Sequence, residues 1–501
     1  MLRHKILLIL FSAVFSAFTL MKMHYLLSFI SFVPVFYCLT SLTKRKAILL
    51  GFVFGFLYSL CLYFWMTNGF INYSSKAIGL AILFLFFSCS FSGVYFSLLF
   101  WISQFTWFNN STSQCYCFIN RITIAAIWVL GEFILALVLK GFPFHSYRIG
   151  FPLCENIYLI QLAPIGGLSL LTFVVILTNI LFADFLLLKT KISLLKGITI
   201  PFICFAISFI TYKSYQPQNI KQPFKVASVS ANTDPNTNWS QAKVNQMAKD
   251  YFSISREAIK SSPDFIIWPE STIPWTYSEK DDLLNEILKI SKNTNTTNVL
   301  GILTTANQKE VYNSAYYFKQ EKITGKYHKE TPVKGTEVPF LGFLLPMANG
   351  NEFTVKKALT NHIINTPFGN AGTLICNEST IEQAALKQIK TNNVHFFFNL
   401  SNDGWFKDSY VAKHHFYYNR LLAVEYRKDM AISNNCGYNA IIKSNGNIPQ
   451  YTQRNKPTVI HGTLQANSNK TLMSKHPLGF IYLLIALLII NYSIHFKFLQ
   501  L

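Results

Sequence analysis

"NAGTLICNESTIEQAALKQIK", residues 370–390, carries an apolar run that ends in a cysteine, Cys376, and passes through Asn377 and Glu378 into a segment of helical spacing. A strand that runs straight into a helix is the building unit of an α/β layered domain, whose strand ends present a site. Ser379 and Glu382 have the S-x-x-E spacing of a capping box, which would start the helix Ile381–Lys390 just beyond the cysteine. The partial positive charge of a helix N-terminus favours a thiolate over a thiol. Cys376 is therefore a candidate nucleophile. Its alternatives are a buried strand position and a disulfide with Cys436.

The surrounding segment repeats the pattern. "FKVASVSAN" (224–232) and "DFIIWPES" (264–271) read as strands, with helical spacing from Trp239 to Lys260 between them. "NVLGILTTAN" (298–307), "VYNSAYYF" (311–318) and "KITGKYHK" (322–329) read as three more, and "VHFFFNLSN" (394–402) as another. A cysteine nucleophile needs a base for its proton and a cation or amide donors for the oxyanion that forms on attack. Glu270 stands where "IIWPES" runs out, and Lys329 closes "GKYHK". A glutamate, a lysine and a cysteine each closing a strand form a candidate catalytic set.

The rest of the 501-residue chain is too apolar for a purely soluble protein: 51% of its residues are hydrophobic. Seven long apolar runs fill residues 1–215 and an eighth occupies 477–497, which predicts about eight membrane spans around a polar domain at 222–470. The first run has no A-x-A-like cleavage site and leads into further helices, so it reads as an uncleaved anchor. Of the 44 lysines and arginines, 27 lie in 222–470 against 20 acids, whereas the remainder of the chain holds 17 against 3 acids. That excess sits in alternate short loops, at Lys44, Arg45, Lys46, Arg121, Lys189, Lys191 and Lys196 among others. Such a bias marks the cytoplasmic side and puts 222–470 on the other. It also accounts for the net charge of +21 without nucleic acid. Glu132 falls inside a span and is a functional candidate for that reason, with a pairing role as the alternative. His414 and His415 have no partner at metal-ligand spacing, so no metal and no cofactor are expected.

"WPES" with Glu270, "KYHK" with Lys329, "LICNE" with Cys376 and "SNDGWF" (401–406) resemble the Glu-Lys-Cys site of the nitrilase (carbon-nitrogen hydrolase) superfamily. Carried between membrane helices, they are similar to the bacterial apolipoprotein N-acyltransferases, as are "GEFILALVLKGFPF" (131–144) and "LAPIGGLSLLTF" (162–173). The resemblance implies an α-β-β-α sandwich with Cys376 as nucleophile, Glu270 as general base and Lys329 facing the oxyanion. It further implies supporting roles for Glu337 and Glu378, and substrate-pocket positions for Trp239 and Trp405. Cys436, in "SNNCGYNA" (433–440), becomes structural.

The implied reaction takes an acyl chain from a phospholipid donor through a thioester to the α-amino group of a diacylated apolipoprotein. The implied setting is a monomer in the bacterial inner membrane, with its catalytic domain on the periplasmic side. The residues after the lysine, "ETPVKGTE" (330–337), and Asn377 after the nucleophile depart from the family pattern. A membrane-anchored amidase, or an acyltransferase with another acceptor, is the alternative.

Overall fold

In a computed structural model of the chain, the described residues are 2–74, 78–107, 114–142, 148–345, 353–360, 362–406, 409–452 and 456–499. Pro143 and Phe144 of the Gly-Phe-Pro stretch lie outside them.

Among the described residues six helices are long and apolar enough to cross a membrane: Arg3–Lys22, Lys44–Tyr63, Ile78–Phe105, Phe118–Val138, Leu159–Leu188 and Lys191–Ser214. The last apolar run forms a further helix, Gly479–Leu499. Three runs are less regular than their composition predicts. The second is broken into Tyr25–Ser28 and Val33–Leu39. The third divides at Phe64 into Lys44–Tyr63 and a separate short helix, Trp65–Tyr73. The sixth starts as a tight turn and bends at Gly166 and Gly167, where φ reaches +61° at Gly167. Apolarity reports burial in lipid or protein but carries no signal for such breaks, which need only local partners for the freed backbone. Glycines set the closest helix pair: a Cβ on Gly51 or Gly55 would lie 2.8 Å from Phe96 O or 2.4 Å from Ser92 O. Small residues at a membrane interface allow this approach of backbones.

The polar part is built from two sheets packed face to face. One has the strand order 458–464, 224–230, 265–267, 297–305, 310–319, 322–328, with two short strands off that path. The other runs 450–451, 440–442, 429–435, 396–402, 369–375, 364–366. Their facing side chains, including Phe224, Phe265, Val299 and Tyr317 against Ile375, Phe396, Phe398 and Ala431, form one apolar layer. Period-2 alternation decides what lies outside. Phe396 and Phe398 point inward while Phe397 meets the helices Glu382–Asn392 and Val411–Tyr426. On the opposite outer face, Ile266, Trp268 and Leu300 meet Gln241–Ile259 and Asp282–Ile290. Helix layer, sheet, sheet, helix layer is an α-β-β-α sandwich.

The sandwich sits on one end of the helix bundle. His414 donates to Leu20 O at 2.9 Å, Tyr410 bonds Leu62 O, and the Phe151 and Tyr418 rings stack at 4.1 Å. Arg148 spans the junction, 3.5 Å from Glu132 on the membrane side and 3.2 Å from Glu382 on the helix that follows the nucleophile turn.

Candidate active site

Three strand ends converge. Glu270 follows strand 265–267, Lys329 follows 322–328, and Cys376 follows 369–375. The Glu270 carboxylate accepts from Asn313 Nδ2 at 2.7 Å, lies 3.5 Å from Lys329 Nζ and lines the same cavity as Cys376. Lys329, only 1% exposed, also reaches Glu337 at 2.8 Å. Glu337 is itself fixed by the Val333 amide at 2.6 Å and by Asn313 at 3.2 Å. Burial disfavours the lysine's charge, but Glu337, Glu270 and Cys376 outweigh it and hold the ammonium protonated.

Burial raises the Glu270 pKa above the ordinary glutamate value; Lys329 opposes this and Glu337 adds to it. A carboxylate with a raised pKa is a better proton acceptor, as a general base requires. The Cys376 thiol is pushed well up, first by burial and then by Glu270, with Lys329 only partly compensating. The resting group is therefore a thiol with a buried carboxylate on the same cavity wall.

This corrects the reading of Cys376 as a thiolate poised at a helix N-terminus. The residues after it form a tight 3₁₀ turn, Cys376–Thr380, and the α-helix starts only at Glu382. The capping box fails too. Ser379 Oγ donates back to Cys376 O at 3.1 Å, and Glu382 turns to Arg148. Cys376 itself has φ +53°, a left-handed conformation that costs a non-glycine residue energy and aims its side chain out of the strand line.

Glu378 works from behind this turn. Fully buried, it accepts from the amides of Ile375 (3.0 Å), Glu330 (2.8 Å) and Thr331 (3.0 Å) and from Tyr327 OH (3.0 Å). Burial lifts its pKa to about 7, against the pull of those amides and of Lys329. One carboxylate thus ties the strand that ends at Cys376 to the loop that follows Lys329.

The cysteine, Glu270 and Lys329 line a cavity of about 190 Å³, whose far wall is the short membrane-side helix Trp65–Tyr73. Trp65, Met66, Phe70 and Tyr73 face it from that helix, and Trp405 and Phe406 from the sandwich. Trp405 packs on Tyr73 at 5.3 Å and Phe406 on Trp65 at 5.3 Å. The apolar chamber is shared between the two parts of the chain.

Two family models match the chain. The "Apolipoprotein N-acyltransferase N-terminal domain" covers residues 9–181, and "Carbon-nitrogen hydrolase" covers 225–471. The chain belongs to the apolipoprotein N-acyltransferase family. A family relative of that name from Haemophilus ducreyi is 24% identical over 91% of this chain and 90% of its own length. One from Geobacter metallireducens is 23% identical, covering 90% of this chain and 87% of its own. One from Borreliella burgdorferi is 24% identical, covering 95% and 91%.

Of the residues that the family resemblance singled out, Glu270, Lys329, Glu337, Cys376 and Trp405 all line the chamber. Glu378 lies directly behind it. Trp239 is not among the lining residues; it is 37% exposed, just ahead of the helix Gln241–Ile259. Cys436 is buried with its thiol 3.5 Å from Thr233 O, and both it and Cys376 are thiols, so the disulfide alternative does not hold. Glu132 is paired with Arg148 and accepts the Ile149 amide at 2.8 Å, away from the chamber. Sequence reading missed Asn313, the Trp65–Tyr73 wall, and a buried Asp403–His415 pair behind the nucleophile turn. The only sequence signal for the last of these is the adjacent "HH", and His415 pairs with a carboxylate and a backbone carbonyl.

Proposed function

We propose that this chain is an N-acyltransferase that moves a fatty acyl group from a membrane phospholipid, through a Cys376 thioester, to the α-amino group of a lipoprotein's N-terminal diacylglyceryl-cysteine. The observation that carries this reading is the composite chamber: the thiol, its carboxylate base and a buried ammonium open onto an apolar wall supplied by the membrane part. A soluble amide substrate would have no use for that wall, whereas an acyl chain held in lipid would.

In the first half-reaction Glu270 takes the thiol proton as sulfur attacks the ester carbonyl. The C–S bond forms and the carbonyl electron pair moves to oxygen, where Lys329 opposes the charge. Collapse breaks the ester C–O bond, and the leaving lysophospholipid oxygen takes the proton back from Glu270. In the second half-reaction the acceptor amine attacks the thioester, Glu270 accepts the amine proton, and the thiol leaves with a proton returned to it.

The sandwich touches the bundle at the ends that carry Leu20, Leu62 and Tyr73. The basic loops with Lys44–Lys46, Arg121 and Lys189–Lys196 belong to the other ends. This supports an inner-membrane protein with its site on the periplasmic side. The test uses full-length protein in micelles with an alkyne-tagged phospholipid. A hydroxylamine-labile acyl group on Cys376, absent from Cys376→Ala and chased off by a diacylated lipopeptide, is the expected result. Release of the label to water alone would favour the amidase-like alternative, and no label would reject acyl transfer.

A further inference from the structure

The Asp403–His415 pair has no part in the scheme above, yet it is aimed at the nucleophile. His415 is buried on the helix Val411–Tyr426, with Nδ1 2.9 Å from Asp403 Oδ1. On the other side of the ring, Nε2 donates to the backbone carbonyl of Cys376 at 2.9 Å and lies 2.8 Å from Ser379 Oγ. Asp403 is held in turn by Asn434 Nδ2 at 2.7 Å. The ring thus faces a carboxylate with one nitrogen and a carbonyl with the other. A carbonyl only accepts, and a carboxylate accepts when ionised, so both nitrogens are asked to donate. Burial works against the charge this implies, but Asp403 and the Cys376 carbonyl overcome it and the ring's pKa is raised.

The Cys376 carbonyl belongs to the same planar unit as the Asn377 N–H. In a trans peptide the two point in opposite directions. With the oxygen turned to His415, the N–H is turned away from it, and Asn377 lines the chamber. This amide lies in the first turn of the Cys376–Thr380 segment, where N–H groups have no carbonyl of a preceding turn to bond.

We propose that His415 is a positioning residue for acyl transfer: as an imidazolium clamped by Asp403, it orients and polarises the Cys376–Asn377 peptide so that its N–H joins Lys329 in stabilising the oxyanion. A hydrogen bond to a peptide oxygen strengthens the donor at the other end of the unit. The same contact holds Cys376 in its left-handed conformation, at φ +53°. The inference rests on the acyl-transfer reading given above.

The test compares two reactions of one sulfur in the full-length chain. Acylation by an alkyne-tagged phosphatidylethanolamine passes through an oxyanion; alkylation by iodoacetamide displaces iodide and does not. His415→Gln removes the cation, and Asp403→Asn keeps a hydrogen-bonding partner but withdraws the charge that holds the ring protonated. Both variants are expected to acylate about tenfold to hundredfold more slowly, somewhat less than the loss of an oxyanion donor itself, with alkylation kept within about twofold. Unchanged acylation in either variant overturns the proposal. So does a parallel loss of both reactions in both variants, including loss through failure to fold, because His415 then serves structure alone. A wild-type chain that alkylates but never acylates defeats the acyl-transfer reading itself.

Discussion

Lys329 stands nearer to Glu337 than to Glu270, with Nζ 2.8 Å from the first carboxylate and 3.5 Å from the second. Glu337 therefore anchors the ammonium and leaves Glu270 freer to exchange a proton with Cys376. Replacing Lys329 by Met removes the cation proposed to face the oxyanion and should slow acylation by about 10²–10³.

The same substitution has a pH signature. Burial already raises the Glu270 pKa above the ordinary glutamate value, so a base at Glu270 is lost as pH falls through that raised value. Taking away the cation leaves Glu270 beside Glu337 with nothing to offset burial, and the pKa rises further. The acidic limb of the acylation rate should therefore shift to higher pH in Lys329→Met than in the wild type. A limb that stays in place in Lys329→Met would show that Glu270 is not the group that sets it.

Glu378 offers a second test, in stability. Its oxygens accept four hydrogen bonds, two each. A glutamine there can accept with only one of its two end atoms, so two buried donors lose their partner. Glu378→Gln should cost about 2–6 kcal/mol in thermal or denaturant unfolding, since each of the two stranded donors costs about 1–3 kcal/mol. Acylation should fall as well, because the 330–331 loop is no longer tied to Ile375.

The Arg148 bridge predicts a non-additive pair. Arg148→Met strands Glu132, 6% exposed, and frees Glu382. Removing one partner of a buried ion pair typically costs about 3–5 kcal/mol. Adding Glu132→Gln to Arg148→Met should recover part of that loss, whereas each alone destabilises. Melting of the four proteins in detergent measures the coupling; simple additivity would mean the bridge contributes nothing.

Both Cys376 and Cys436 are thiols. Maleimide should label Cys376 without prior reduction, and reductant should leave acylation unchanged. Activation by reductant would point to a bond that the fold does not contain.

The strands of the sandwich were legible because they are buried on at least one face and rich in Val, Ile and Phe. "FKVASVSAN" became 224–230 and "VYNSAYYF" became 310–319. Glu270, Lys329 and Cys376 were legible because each closes such a run. The Ser379–Glu382 capping signal misled, since its two side chains found stronger partners in Cys376 O and Arg148, neither of which sequence spacing reveals. His415 was invisible as a functional group for a similar reason. Its partners Asp403 and Cys376 come from two other elements of the sandwich. The break before Trp65–Tyr73 was not legible, because a helix break in an apolar run leaves no trace in composition.

The Trp65–Tyr73 helix also bears on how such proteins are divided. Tyr73 OH donates to Thr336 O at 2.9 Å in the loop that bears Glu337, so the membrane part closes the chamber and steadies its rim. A fragment comprising 222–470 keeps the thiol, the base and the ammonium but leaves their chamber without a lid on one side. Solvent then reaches the thioester as readily as any amine. The two halves are thus not interchangeable cassettes: grafting the sandwich onto a foreign bundle would preserve its chemistry and forfeit its fidelity.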